Sequence, residues 1–147
     1  MKSQAVTSLV EMIGQSIPEL VFTAHYEADS PLLKASMRLY KKRSFVYVLA
    51  VEHNGKEQYI YVGKSAFQYS RMLQHIPSFA FDRVYLFECR SDQLANCEKA
   101  AIHLLKPLFN RQHNPAAMQY RRVLGIEYDS EELHQGLPAQ HNPPDPE

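Results

Sequence analysis

The stretch from Phe45 to Gly63, FVYVLAVEHNGKEQYIYVG, restricts the fold more than any other part of the chain. Two runs rich in β-branched and aromatic residues flank Asn54-Gly55, and Asn-Gly is the dipeptide that accepts positive φ at both central positions of a tight hairpin turn. Two antiparallel strands are therefore expected, and their register matters. A two-residue Asn54-Gly55 loop sets Tyr47 opposite Val62 and sends Tyr47 and Tyr61 to opposite faces of the sheet. A three-residue loop, His53-Asn54-Gly55, sets Tyr47 opposite Tyr61. A bulge in the first register would also return both tyrosines to one face.

On either side of the hairpin the apolar period becomes helical. Val6, Leu9, Val10 and Ile13 recur at i, i+3, i+4 and i+7 and mark a first helix that stops before Pro18. Residues 19–26 fit either a strand or an extended loop. Ser30-Pro31 is a cap followed by a proline at the first helical position, and PLLKASMRLYKKR continues as a helix with a basic last turn. After the hairpin, SAFQYSRMLQHI reads as a helix, DRVYLFECR as a strand, and SDQLANCEKAAIHLLK as a helix that Pro107 terminates. The order predicts an α+β domain built on a small three-stranded antiparallel sheet flanked by helices. Residues 1–43 are expected to form an N-terminal helical extension packed on the core, 44–128 the central domain, and 129–147 an acidic, Pro-rich disordered tail.

With 147 residues, 45% of them hydrophobic, the chain has enough apolar material for one core. No window approaches the roughly 18 uncharged apolar residues of a membrane span, and the first residues lack the apolar run of a signal peptide. A soluble, cytoplasmic protein with no membrane partner is expected. Cys89 and Cys97 lack zinc-site spacing and are too few for a disulfide framework, which points to reduced thiols. The formal net charge of zero conceals segregation: residues 34–75 hold eight Lys or Arg against two Glu, and residues 126–147 hold six acids and no Lys or Arg. A basic face suits a polyanion, although a solvated face without a partner has the same composition.

Two helices carry side chains that packing alone does not explain. After Gly63, the residues Tyr69, Met72, Leu73 and Ile76 form a core stripe, leaving Arg71 and His75 one turn apart on another face. In the last helix, Glu98 falls inside the apolar stripe made by Leu94, Cys97, Ala101, Ile102 and Leu105. A carboxylate there is costly unless it is paired with a cation or holds a metal.

Val46-Tyr47-Val48, then Tyr61-Val62-Gly63-Lys64, Arg71, His75, Glu98 and finally Pro107-Leu-Phe-Asn110 resemble, in order and approximate spacing, the motifs of the GIY-YIG nuclease family. The resemblance covers about residues 45–114. Phe45 stands where that family has glycine, and 13 residues separate Tyr47 from Tyr61, so the hairpin is longer than usual. The resemblance implies a three-stranded sheet with flanking helices, a divalent cation (Mg²⁺ or Mn²⁺) on Glu98, and cleavage of phosphodiester bonds in nucleic acid, with DNA the expected form. By position, Tyr47 and Tyr61 would be the active-site tyrosines, Arg71 the transition-state cation and Asn110 the residue that braces the site. Lys64, Asn110 and the run Lys41, Lys42, Arg43 are the expected substrate-binding residues.

Attack on a phosphodiester builds charge on the non-bridging and leaving oxygens, which a fixed guanidinium and a metal ion can stabilise. A base must also take a proton from water. Tyr47 is the first candidate if neighbouring cations stabilise its phenolate, and His75 the second, because imidazole is suited to proton transfer near neutrality. On this reading Lys64, Arg71 and His75 face one scissile phosphate. The alternative is a non-catalytic nucleic-acid-binding module that uses the same basic face.

Overall fold

A computed structural model describes residues 2–110. The segment 129–147, expected as a disordered tail, and the end of the 44–128 domain lie outside the described residues. The elements run α1 (Lys2–Ser16), β1 (Val21–Glu27), α2 (Pro31–Ala35), α3 (Met37–Tyr40), β2 (Ser44–His53), β3 (Lys56–Ala66), α4 (Tyr69–His75), β4 (Arg83–Glu88) and α5 (Leu94–Leu105). The architecture is α+β, as the alternation of patterns predicts. The sheet has four strands instead of three, in the order β1-β4-β2-β3, with every neighbouring pair antiparallel. The extra strand is the ambiguous segment after Pro18, which gains its ladder from β4, far away in sequence. Residues 1–43 are thus not only a helical extension, because their strand belongs to the same sheet.

β2 is buried along most of its length because it is an inner strand covered on both sides. Its alternation divides the core. Val46, Val48 and Ala50 turn toward α1 and α5, where they meet Leu9, Ile13, Cys97, Ala101 and Ile102. Phe45, Tyr47 and Leu49 turn the other way, toward Tyr40, Tyr69, Met72 and Ile76. Cys89 and Cys97 are free and buried, and burial pushes the Cys89 thiol up to about 12. Among the described residues no helix is long and apolar enough to cross a membrane.

Two boundaries depart from the sequence reading for identifiable reasons. The helix after Ser30 starts as expected, with the Ser30 hydroxyl accepting from the Leu32 amide, but it breaks at Ser36. Ser36 is fully buried, donates to the Leu33 carbonyl and shares a 2.7 Å hydrogen bond with the Tyr69 hydroxyl, so its hydroxyl competes with the helical backbone. The strand β3 also runs on to Ala66, and α4 begins only at Tyr69 because Phe67 adopts φ 60° between them.

Candidate functional site

The site is assembled by an irregularity in the hairpin. Asn54 and Gly55 both take positive φ, and the two-residue loop pairs His53 with Lys56 and continues to Ala50 opposite Tyr59. The register then shifts by one residue, so that Leu49 faces Tyr61 and Tyr47 faces Gly63. This bulge restores the alternation that places Tyr47 and Tyr61 on one face, with ring centroids 6.2 Å apart. Tyr47 lies over its partner strand in a way that only glycine permits. A Cβ at Gly63 would overlap Cζ and Oη of Tyr47 and approach Cε2 to 2.9 Å.

On the other face of the same strand, α5 brings up Glu98. The carboxylate residue is only 8% exposed, as its place in the apolar stripe implies. Lys64 reaches it from β3, with Nζ 3.3 Å from Oε1. Burial raises the Glu98 pKa above the usual carboxylate range, and Lys64 only partly opposes that rise. Glu98 is also felt across the strand: burial first, and the charge of Glu98 second, push the Tyr47 phenol well above its ordinary pKa. Both effects oppose the phenolate that the general-base role of Tyr47 requires. A cation held by Glu98 would act in the other direction, toward the phenolate.

Asn110 closes this side of the strand. Its Oδ1 accepts from the Val62 amide at 2.7 Å and its Nδ2 donates to the Val62 carbonyl at 2.8 Å. The side chain imitates a strand partner and is buried. It braces β3, with both ends of its amide on the Val62 backbone.

His75 is half-buried on the tyrosine face, its ring 6.2 Å from Tyr61 and 5.6 Å from Phe79. Phe79 stacks on Tyr61 at 4.5 Å and completes an aromatic wall. It was not among the sequence candidates, since a phenylalanine just after a helix carries no signal of its partner. Arg71 is exposed, one turn before His75. Lys64 is separated from His75 by the sheet: it shares the face of Val62 and Glu98, whereas Tyr61 and His75 occupy the opposite face. Of the three residues expected to face one scissile phosphate, Lys64 and His75 thus border β3 from its two faces.

The basic run after α3 divides in the same manner. Lys41 and Lys42 are exposed. Arg43 instead binds Glu88 through two hydrogen bonds, 3.0 Å from Nε and 2.6 Å from its terminal nitrogen, and lies over the rings of Tyr40 and Phe45. It anchors β2 to β4 and is not a spare cation.

Among the described residues, no group of three His, Cys, Asp or Glu side chains could hold a metal ion. Glu98 alone is a sparse donor set, compatible with a cation such as Mg²⁺ that keeps several waters and shares substrate oxygens. Stability measurements distinguish a carboxylate retained for such a role from a structural ion pair. A raised folded pKa means that the protonated form is favoured by folding, so this contribution is complete below the unfolded pKa and is lost as pH rises through the folded one. Above its folded pKa the ionised Glu98 is therefore a burden. Glu98→Gln in EDTA should match the wild type or exceed it by about 1 kcal/mol, with the difference closing at acidic pH. A structural pair makes the opposite forecast, a loss of about 3–5 kcal/mol. Urea denaturation at several pH values reads the sign. Compared with protein-family models, curated proteins and solved structures, the chain matches none.

Proposed function

We propose that this protein is an endonuclease that hydrolyses phosphodiester bonds in nucleic acid, with DNA the expected substrate and Mg²⁺ or Mn²⁺ as cofactor. The observation that carries the reading is Glu98: a carboxylate held in an apolar helix face at an energetic cost, beside Lys64 and electrostatically coupled to Tyr47. A divalent ion held by that carboxylate would supply positive charge to the developing oxyanions of phosphodiester cleavage. The chain's own residues divide the remaining work. Arg71, exposed at the start of α4, offers a guanidinium to a non-bridging oxygen. Tyr47 and His75 are the two candidate proton acceptors: burial and Glu98 oppose ionisation of Tyr47, which a cation on Glu98 would offset, and His75 lies on the face of β3 opposite Glu98. The two tyrosines contribute hydroxyl hydrogen bonds and shape, and Lys64, Lys41 and Lys42 attract the backbone.

The Lys64–Glu98 pair favours a second reading, a nucleic-acid-binding module without catalysis, since the ammonium already occupies one oxygen of the carboxylate. Incubation with supercoiled plasmid separates the two. Metal-dependent nicking that EDTA stops, and that Glu98→Ala and Arg71→Ala each abolish while the proteins stay folded, is the expected result. Binding without nicking supports the module. Equal nicking by wild type and Glu98→Ala assigns the activity to another site or another protein. In either reading, binding weakens steeply with salt, each phosphate contact adding about 0.9 to the log–log slope for duplex DNA.

A further inference from the structure

Phe67 has no part in the site as described, yet it is held at a cost. Its backbone takes φ 60°, in the left-handed region that glycine tolerates and bulky L-residues avoid. Its side chain is 57% exposed and belongs to neither core cluster. Packing therefore does not explain the residue, and a strained bulky side chain left at the surface raises the question of what it meets.

Its surroundings indicate what the ring meets. The Phe67 amide donates to the Arg43 carbonyl at 3.3 Å, which ties it beside the exposed Lys41-Lys42 turn. Arg71 follows four residues later, exposed, in the first turn of α4. An exposed aromatic tied beside a lysine pair, with an exposed arginine four residues on, combines the two elements that bind single-stranded nucleic acid, cations that track the backbone and a flat face on which a base stacks. In an intact duplex both faces of each internal base are already covered by neighbours, so a protruding ring can stack only where a nucleotide is unpaired or at an end.

The geometry points to Phe67 as a base-stacking residue that directs this site to nucleic acid with an unpaired nucleotide beside the bond to be cut. This inference rests on the nucleic-acid reading above and deepens it by naming the substrate class. Phe67 fixes where the strand lies, and the cations supply most of the affinity.

The chain contains no tryptophan, so Phe67→Trp introduces a single reporter at this position. Titrated with oligodeoxythymidylate at low salt in EDTA, the indole of Phe67→Trp is expected to be quenched, and a relaxed, covalently closed circular duplex at equal nucleotide concentration, which has neither ends nor loops, should quench it far less. Phe67→Ala should weaken single-strand binding roughly 5- to 150-fold while leaving the salt slope and duplex binding unchanged. Phe67→Gly should show the same loss of binding together with a higher melting temperature, because glycine adopts this φ freely; it also serves if Phe67→Ala fails to fold. Wild-type affinity in both variants with an unquenched indole, alongside steeply salt-dependent wild-type binding, overturns the stacking role and leaves the nucleic-acid reading standing. Equal quenching by the closed duplex overturns the preference for unpaired bases. Absence of any salt-dependent binding by the wild type removes both readings together.

Discussion

Arg83→Ala is expected to lose about 3–5 kcal/mol of stability in urea denaturation, enough to leave a marginal domain largely unfolded. Arg83 is 2% exposed, yet its guanidinium is charged and bound on several sides. Nε donates to Glu27 on β1 at 2.9 Å, and one terminal nitrogen donates to Glu57 on β3 at 2.5 Å and to the Tyr85 hydroxyl at 3.1 Å. Tyr85 in turn donates to Glu57. The β3 contact crosses the intervening strand, where Arg83 pairs with Ala50, whose small side chain leaves room for the crossing. One cation thus links β4 to both edge strands. Its removal leaves the buried Glu57 carboxylate without its counter-charge, and that orphaned charge, more than the lost attraction, sets the size of the effect. Adding Glu57→Gln to Arg83→Ala should recover part of the loss. If the single substitution costs under about 1 kcal/mol, in the range of exposed pairs, water has access to the network.

Gly63→Ala is expected to be the most damaging small substitution in β3. The added methyl has no free volume, since it would overlap the end of the Tyr47 ring, and that ring is itself buried. Overpacking of this kind costs about 1–3 kcal/mol. The test of the cause is coupling. Tyr47→Ala alone should also destabilise, through the cavity it opens, but combined with Gly63→Ala the two losses should fall short of their sum, because each removes the other's difficulty. Additive losses would mean that the methyl strains the strand backbone and not the tyrosine. Tyr47→Phe should rescue little, because the overlap includes Cζ as well as the hydroxyl.

Local chemistry announced itself in the sequence, and tertiary choices did not. Asn54-Gly55 is a turn wherever it stands between such strands, and the hairpin formed as expected. Glu98 was conspicuous on a helical wheel because α5 is long enough for its period to be unambiguous. The bulge after Leu49 was one of several registers the hairpin allowed, and nothing in Ile60 marks it as the extra residue, since an isoleucine suits a regular strand equally well. The fourth strand was hidden because Val21–Glu27 is weakly patterned and its partner lies across most of the domain. The lost cation of the basic run, Arg43, was hidden for the same reason: Glu88 is its neighbour only after β2 and β4 align. The division of Lys64 from His75 was legible in principle, because Lys64 directly follows Gly63 and successive strand residues face opposite ways.

The segment after α5 has a further effect through the way it covers β3. Leu108 and Phe109 donate their backbone amides to the carbonyls of Tyr59 and Ile60, and Asn110 continues the ladder with its side chain at Val62. An outermost strand left open is a template onto which another molecule can add its own, the first step toward edge-to-edge aggregation. Here three consecutive residues act as a cover over the middle of β3, so intermolecular strand addition is blocked beside the tyrosines. The opposite border of the sheet, β1, begins with the exposed Val21. Asn110→Ala would remove the outermost rung of that cover, and its consequence would extend beyond the fold of one molecule, to slow self-association at high protein concentration through the newly opened backbone of Val62.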